Sequence, residues 1–183
     1  MILGVDEVGR GSLAGPLVVG VVGLERSIEG LNDSKLIKSA KRIIIAQEIY
    51  KKAVYYSLGW VFPEEIDLYG LTISTTLAIK RALLNKPTNY DLIIIDGNYN
   101  YLPNEPKSKC MIKADQTIPA VSAASIIAKV ERDNYMHQVD QYFASYDFKH
   151  NVGYGTKIHL LALRGKGPSG IHRMSFLRNY FKY

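Results

Sequence analysis

Asp6 and Glu7 stand side by side in Asp6-Glu7-Val8-Gly9-Arg10-Gly11, directly after a short apolar run. Adjacent carboxylates are hard oxygen donors suited to a cation such as Mg²⁺. The Gly-Arg-Gly turn that follows offers bare backbone to a ligand and a guanidinium that binds phosphate. A metal site beside a phosphate site suits phosphodiester chemistry. Two further acids occupy comparable places. Asp96 closes the run Leu92-Ile93-Ile94-Ile95, and Asp115 lies between a short fifth strand and a long helix. If the strands bearing Asp6 and Asp96 are neighbours, their carboxylates meet at one end of a sheet. Like charges that converge call for a cation to neutralise them. Two divalent ions ~3.5–4 Å apart can activate a water and stabilise a leaving oxygen.

Each acid also has a purely structural reading. Asp96-Gly97-Asn98 is a turn signal, and Asp115 can cap the helix that begins near Ile118. Consecutive strand residues point to opposite faces. Asp6 and Glu7 therefore share a site only if the strand bends, which Gly9 and Gly11 permit, or if Glu7 reaches in from the strand's end. Asp133, His137 and Asp140 fall on one helix face at i, i+4 and i+7, and with no further ligand nearby they read as a solvated face. Gly9-Arg10-Gly11-Ser12-Leu13-Ala14 also fits the dinucleotide fingerprint of an oxidoreductase. That reading requires a helix at the turn, yet Gly15-Pro16 and a Val-rich strand follow. A non-catalytic nucleic-acid binder is a third class, but it has no use for the acids.

The elements that must position these residues are legible in outline. Strands are expected at Met1–Val5, Leu17–Leu24, within Ala53–Phe62, at Asp91–Asp96 and at Ser108–Ile112. Helices are expected from Ser39 to Lys52, from Pro63 briefly, over Leu71–Leu84, over Ile118–Phe143 with Pro119 in its first turn, and over Thr156–Leu163 with Gly165 as terminator. Another helical signal lies near the C-terminus. Ser122, Ala123, Ala124, Ser125 and Ala128 are small enough to let the long helix pack closely on a flat surface. Short gaps favour an antiparallel meander for the first three strands, and helical connections favour parallel additions for the last two.

The 183 residues suit one ordinary domain with a C-terminal appendage, and 47% apolar content supports a core. One cysteine, Cys110, excludes an internal disulfide and a cysteine-based zinc site. No apolar run approaches a membrane span, and no signal peptide precedes the acidic pair. A soluble cytoplasmic protein is the expectation, with a monomer as the default state. The net charge of +6 is uneven: after Asp147 there are seven Lys and Arg residues and no acid. A basic tail on a domain with an acidic cluster suits a polyanionic partner.

Taken in order, these motifs resemble the ribonuclease HII family nearly from end to end. The matching residues are DEVGRG at 6–11 with Ala14-Gly15-Pro16, NDSK at 32–35 with Arg42 following, and IIIDGN at 93–98. They continue with KAD at 113–115, VSAASIIAKVERD at 121–133, GYGT at 153–156 with His159, and HRMSF at 172–176. The resemblance implies an α/β ribonuclease H-like fold, a mixed five-stranded sheet flanked by helices with a helical C-terminal segment. It implies a single catalytic domain over 1–183, in which 144–183 forms a basic, substrate-binding appendage. It further implies cleavage of RNA in RNA–DNA hybrids, and cleavage 5′ to single ribonucleotides in duplex DNA, leaving 5′-phosphate and 3′-hydroxyl ends. By the same resemblance Asp6, Glu7, Asp96 and Asp115 are the catalytic ligands of Mg²⁺ or Mn²⁺. Gly9, Arg10 and Gly11 read the ribose 2′-hydroxyl, which distinguishes RNA from DNA. Tyr154 stacks on the sugar at the junction, and Lys35 contacts phosphate. Arg42 and Lys113 are weaker phosphate candidates, and Asp133 competes with Asp115 but reads as structural. The related ribonuclease HIII branch is disfavoured, because the chain keeps Gly-Arg-Gly and begins five residues before the acidic pair. No sliding-clamp binding peptide is expected after Phe176.

Overall fold

The computed structural model describes residues 1–31 and 38–178. Five strands form one sheet: β1 (Ile2–Val8), β2 (Leu17–Leu24), β3 (Tyr55–Val61), β4 (Leu92–Asp96) and β5 (Ser108–Met111). Their order is β3-β2-β1-β4-β5. β1, β2 and β3 pair antiparallel, whereas β4 and β5 add in parallel beside β1. This is the mixed five-stranded sheet that the spacing of the strands predicts, and the α/β, ribonuclease H-like fold that the family resemblance implies. No helix starts at the turn after β1; the chain runs into β2 instead, which removes the dinucleotide-binding reading.

Helices cover both faces. α1 (Ser39–Lys52) and α3 (Pro119–Asp140) share a core with Val22 on one side, and α2 (Pro63–Ala82) packs over Val5, Val19 and Ile95 on the other. α2 is two pieces, as Pro63 and Leu71 suggest in the sequence: Gly70 leaves the helix with φ 74°. The small residues of α3 work as expected, and the sheet answers them with glycines. A Cβ on Gly4 would lie 2.2 Å from the Ala120–Val121 backbone, and one on Gly20 would lie 2.3 Å from the Ala124 carbonyl. Helix backbone thus rests directly on sheet backbone next to the acidic end of β1.

Short helices α4 (Phe148–Asn151), α5 (Lys157–Lys166) and α6 (Met174–Leu177) complete the described chain. Phe148, Leu163 and Leu177 share a core with Leu13, Ala14 and Met136, so this segment packs on α3 and on the loop after β1. α5 corrects one expectation. It passes through exposed Gly165 and stops at Gly167, whose φ of 77° ends it. An interior glycine costs a helix only about 1 kcal/mol, whereas a left-handed residue terminates it.

Candidate active site

β1 is longer than its apolar run, and both acids lie inside it. It stays in register with β2 through Asp6↔Gly20, Glu7↔Val19 and Val8↔Val18, so the strand does not bend to bring its acids together. Asp6 follows Gly4 onto the α3 face, where its carboxylate accepts a bond from Ser125 of α3. Glu7 follows Val5 toward α2 and lines a cleft with Thr72. The parallel ladder with β4 ends at Val5↔Ile95. Asp6 and Asp96 are one step further along, where the strands no longer bond to each other and their side chains gain room.

The cleft, about 430 Å³, is lined by Glu7, Arg10, Thr72 and Asp96, with Gly97, Asn98, Tyr99 and Tyr101 from the turn after β4. Asp6, only 9% exposed, lies behind this lining. Burial, and then the charges of Glu7 and Asp96, push its carboxyl up to about 8. Burial and Asp96 likewise raise Glu7, while Arg10 opposes the rise. Each acid is meanwhile held by a local donor. The Glu7 amide donates to Asp6 Oδ1 at 2.8 Å, Arg10 Nη1 lies 3.5 Å from Glu7 Oε1, and the Ala114 amide donates to Asp96 Oδ1 at 2.8 Å. These restraints explain why, among the described residues, no three potential metal-binding side chains converge as they are now placed.

Asp115 is carried by the turn that binds Asp96. It sits in a 3₁₀ turn at Ala114–Gln116, directly after the amide that holds Asp96, and is 1% exposed. It does not cap the long helix, whose N-cap is Ile118 without a side-chain bond. Asp133 pairs with Lys129 at 2.6 Å on the α3 surface, in keeping with its structural reading. Lys35 and the rest of NDSK lie outside the described residues.

The Gly-Arg-Gly loop crosses from this acidic end to a second cluster. Gly9 has φ 82°, and a Cβ there would strike Arg132 Nε at 2.1 Å. Gly11 is exposed with nothing within 4 Å of such a Cβ. Arg10 is anchored by the Tyr101 hydroxyl. Beneath the loop, Arg132 is fully buried and donates to Pro16 O, Val152 O, Ser12 Oγ and Ala14 O at 2.8–3.2 Å. Arg173, also fully buried, donates to the carbonyls of Gly15 and Arg10. Burial, and then the neighbouring Arg132, lower its guanidinium to about 9. Tyr154 is 37% exposed, and its ring lies over the Arg132 guanidinium at 5.6 Å.

Sequence reasoning missed Ser125, Thr72, Tyr101, Arg132, Arg173 and His172 as contributors. Ser125 and Arg132 sit in VSAASIIAKVERD, and His172 and Arg173 in HRMSF. The motifs that carry the resemblance therefore contained four of the six, without indicating what each touches.

The sequence profile of ribonuclease HII matches residues 3–179. The chain belongs to the ribonuclease HII family. It is 44% identical over 178 residues to ribonuclease HII of Streptomyces avermitilis, covering 96% of this chain and 76% of that one. Among solved structures it is similar to ribonuclease HII of Archaeoglobus fulgidus, determined in complex with PCNA, with a TM-score of 0.83 at 25% identity over 100% of this chain and 98% of that one. Ribonuclease H2 of Pyrococcus horikoshii gives 0.80 at 27% identity, over 97% and 95%. The chain is a ribonuclease H, an endonuclease for RNA paired with DNA. The family uses divalent metal ions, and the donors present fit such an ion. They are all hard oxygens, and the raised carboxyls of Asp6 and Glu7 are what a bound cation would bring back down. No described helix is long and apolar enough to cross a membrane.

Proposed function

We propose that this chain cuts the RNA strand of RNA–DNA hybrids and also cuts 5′ to single ribonucleotides in duplex DNA, leaving 5′-phosphate and 3′-hydroxyl ends. Asp6, Glu7, Asp96 and Asp115 would hold Mg²⁺ or Mn²⁺. The supporting observation is the electrostatic coupling of Asp6, Glu7 and Asp96 at the open end of β1 and β4, one loop away from Gly11. When bound, such ions supply an activated water and neutralise the charge of the leaving oxygen.

The protein's own groups orient the substrate. The ladder's end gives Asp6 and Asp96 freedom to turn toward a shared ion, and Ser125 holds Asp6 against the helix meanwhile. Gly11 has no structural need for glycine, so its bareness suits close approach of a sugar to the backbone. Arg10 supplies a cation at the cleft edge, steadied by Tyr101. Tyr154 offers a ring face to the sugar at the junction, with Arg132 beneath it. Lys35 is proposed as a phosphate contact. Residues 144–183 form the basic substrate-binding part of one catalytic domain. Phosphate contacts of this kind position the duplex without reading sequence. The setting is a monomeric cytoplasmic enzyme.

The test is cleavage of duplex DNA containing one ribonucleotide, with Mg²⁺ or Mn²⁺, against the all-DNA duplex. Asp6→Asn and a chelator serve as controls. A single cut 5′ to the ribonucleotide, lost in both controls, is expected. Cutting of long hybrids alone would remove the junction reading, and cutting in the Asp6→Asn variant would remove the carboxylate assignment.

A further inference from the structure

Behind Tyr154 lie two buried imidazoles whose protons can be assigned from geometry alone. His159 is fully buried on α5, and His172 is 3% exposed beside the Gly-Arg-Gly loop. His159 Nδ1 is 2.9 Å from the Tyr154 carbonyl oxygen. A carbonyl only accepts, so Nδ1 carries the hydrogen. In a neutral ring His159 Nε2 is then an acceptor. It lies 2.9 Å from His172 Nε2, which must therefore donate. His172 Nδ1 is left as an acceptor, and it receives the Ser169 amide at 2.8 Å, with Ser169 Oγ also at 2.8 Å. The result is one directional chain: Ser169 N–H to His172, His172 to His159, and His159 to the Tyr154 carbonyl. An extra proton on either ring would set N–H against N–H at a joint. Burial favours the neutral rings too, lowering His159 and holding His172 down at about 4, where repulsion between the two rings would also oppose protonating both.

The two ends of the chain bear on the proposed substrate surface. His172 bridges to Ala14, and Arg173 N donates to Leu13 O at 2.9 Å, so this end is tied to the loop that follows Gly11. At the other end Tyr154 O receives the Thr156 amide as well as His159, while Gly153 O receives the amides of Leu13 and Ala14. The spacing between the Gly-Arg-Gly backbone and the Tyr154 ring thus depends on this relay and on the Gly153 contacts.

We infer that His159 and His172 are positioning residues, which hold Tyr154 at a set distance from the Gly-Arg-Gly loop and thereby tune selectivity for a ribonucleotide–DNA junction over a continuous hybrid. This rests on the proposed role of Tyr154. It places a specificity determinant in a pair of side chains that never touch substrate.

The readout is the ratio of kcat/KM on a single-ribonucleotide duplex to that on a long hybrid. His159→Phe keeps the ring packing but removes both nitrogens, and it lowers the ratio about fivefold to tenfold, the effect of one neutral hydrogen bond. His159→Asn keeps a donor near the Tyr154 carbonyl and restores most of the ratio. In a Tyr154→Ala background His159→Phe changes the ratio no further, since coupled residues are not additive. Equal loss on both substrates would make the pair merely structural and overturn the inference. If Tyr154→Ala lowers the ratio but His159→Phe does not, the inference fails while the reading of Tyr154 stands. If Tyr154→Ala leaves the ratio unchanged, both fail. Nitrogen-15 NMR of the unsubstituted protein at neutral pH is independent of how well the variants fold. It should show opposite neutral tautomers, Nδ1–H for His159 and Nε2–H for His172; matching tautomers would overturn the relay.

Discussion

Two clusters of buried charge lie on either side of Gly9, and they have opposite signs and different kinds of partner. On one side burial, and then the Asp96 charge, raise the proton affinity of both Asp6 and Glu7, and the Glu7 charge adds to the rise at Asp6. On the other, Arg132 and Arg173 share seven hydrogen bonds with neutral oxygens. The carboxylates are disfavoured first by burial and then by neighbouring negative charge, a cost that a cation would offset. Burial disfavours the guanidinium charge too, but carbonyl oxygens from the loop after β1 and from Val152, with Ser12 Oγ, accept from the pair. The difference lies in the partners: the buried guanidiniums tie loops together through neutral acceptors, whereas the carboxylates face a cleft with few donors, the arrangement in which perturbed groups take up a ligand.

The sharpest way to break this contrast is to neutralise one member of each cluster. Asp6→Asn should lower activity on the order of a thousandfold or more, yet raise the melting temperature of the metal-free protein, at ~2–4 °C per kcal/mol gained. A lower melting temperature would show that the acids are not strained. Arg132→Met should do the reverse to stability. It strands the acceptors Pro16 O, Val152 O, Ala14 O and Ser12 Oγ, at ~1–3 kcal/mol in urea unfolding for each that finds no other donor. Arg132→Lys should recover only part of that, since an ammonium cannot span the fork.

Titration separates the clusters next. Asp6 has a raised pKa, so its contribution to the metal-free protein is present below pH ~4 and lost as pH rises through about 8. His172 is lowered, so its contribution is present above pH ~6.5 and lost as pH falls through about 4. Between these limits the two slopes oppose. Stability of the unsubstituted protein should fall as pH rises from 6.5 to 8, and Asp6→Asn should abolish that fall. The His172 term is ~3 kcal/mol, and comparison with His172→Phe from pH 6.5 to 4 should expose it. The smallest effects concern the glycines between the clusters. Gly9→Ala forces a strained φ against Arg132 and should destabilise by ~1–3 kcal/mol. Gly11→Ala should stay within ~0.5 kcal/mol in stability and reduce cleavage at ribonucleotides instead.

Most of the frame was readable in advance, for local reasons. Leu17–Leu24 is observed as expected because valine-rich runs bounded by Pro16 and Glu25 have few alternatives. The break of α2 at Gly70 was implied by the separate signals at Pro63 and Leu71. Asp6 and Asp96 were placed together because both follow apolar runs, and the parallel pairing of β1 with β4 makes them neighbours. Less was readable where partners are distant. The opposite faces of Asp6 and Glu7 were anticipated, but the straight continuation of β1 to Val8 was not, since its pairing with Val18 comes from across a loop. Nothing local tells Arg132 from the other basic residues of the chain. Its acceptors Pro16 and Ala14 are more than a hundred residues away.

By itself the sequence determined the periodicity of the strands, the acids that follow them, and a motif order specific enough to name the family. These are properties of neighbouring residues, carried by side-chain alternation and backbone preference. Only the tertiary structure decided which polar groups are desolvated and by what they are met. It turned Asp115 inward, put Ser125 on Asp6, and aligned His159 with His172. The physical reason is that the cost of burying a charge or a polar atom depends on the donors and acceptors gathered around it from the whole chain. No stretch of neighbouring residues contains that information.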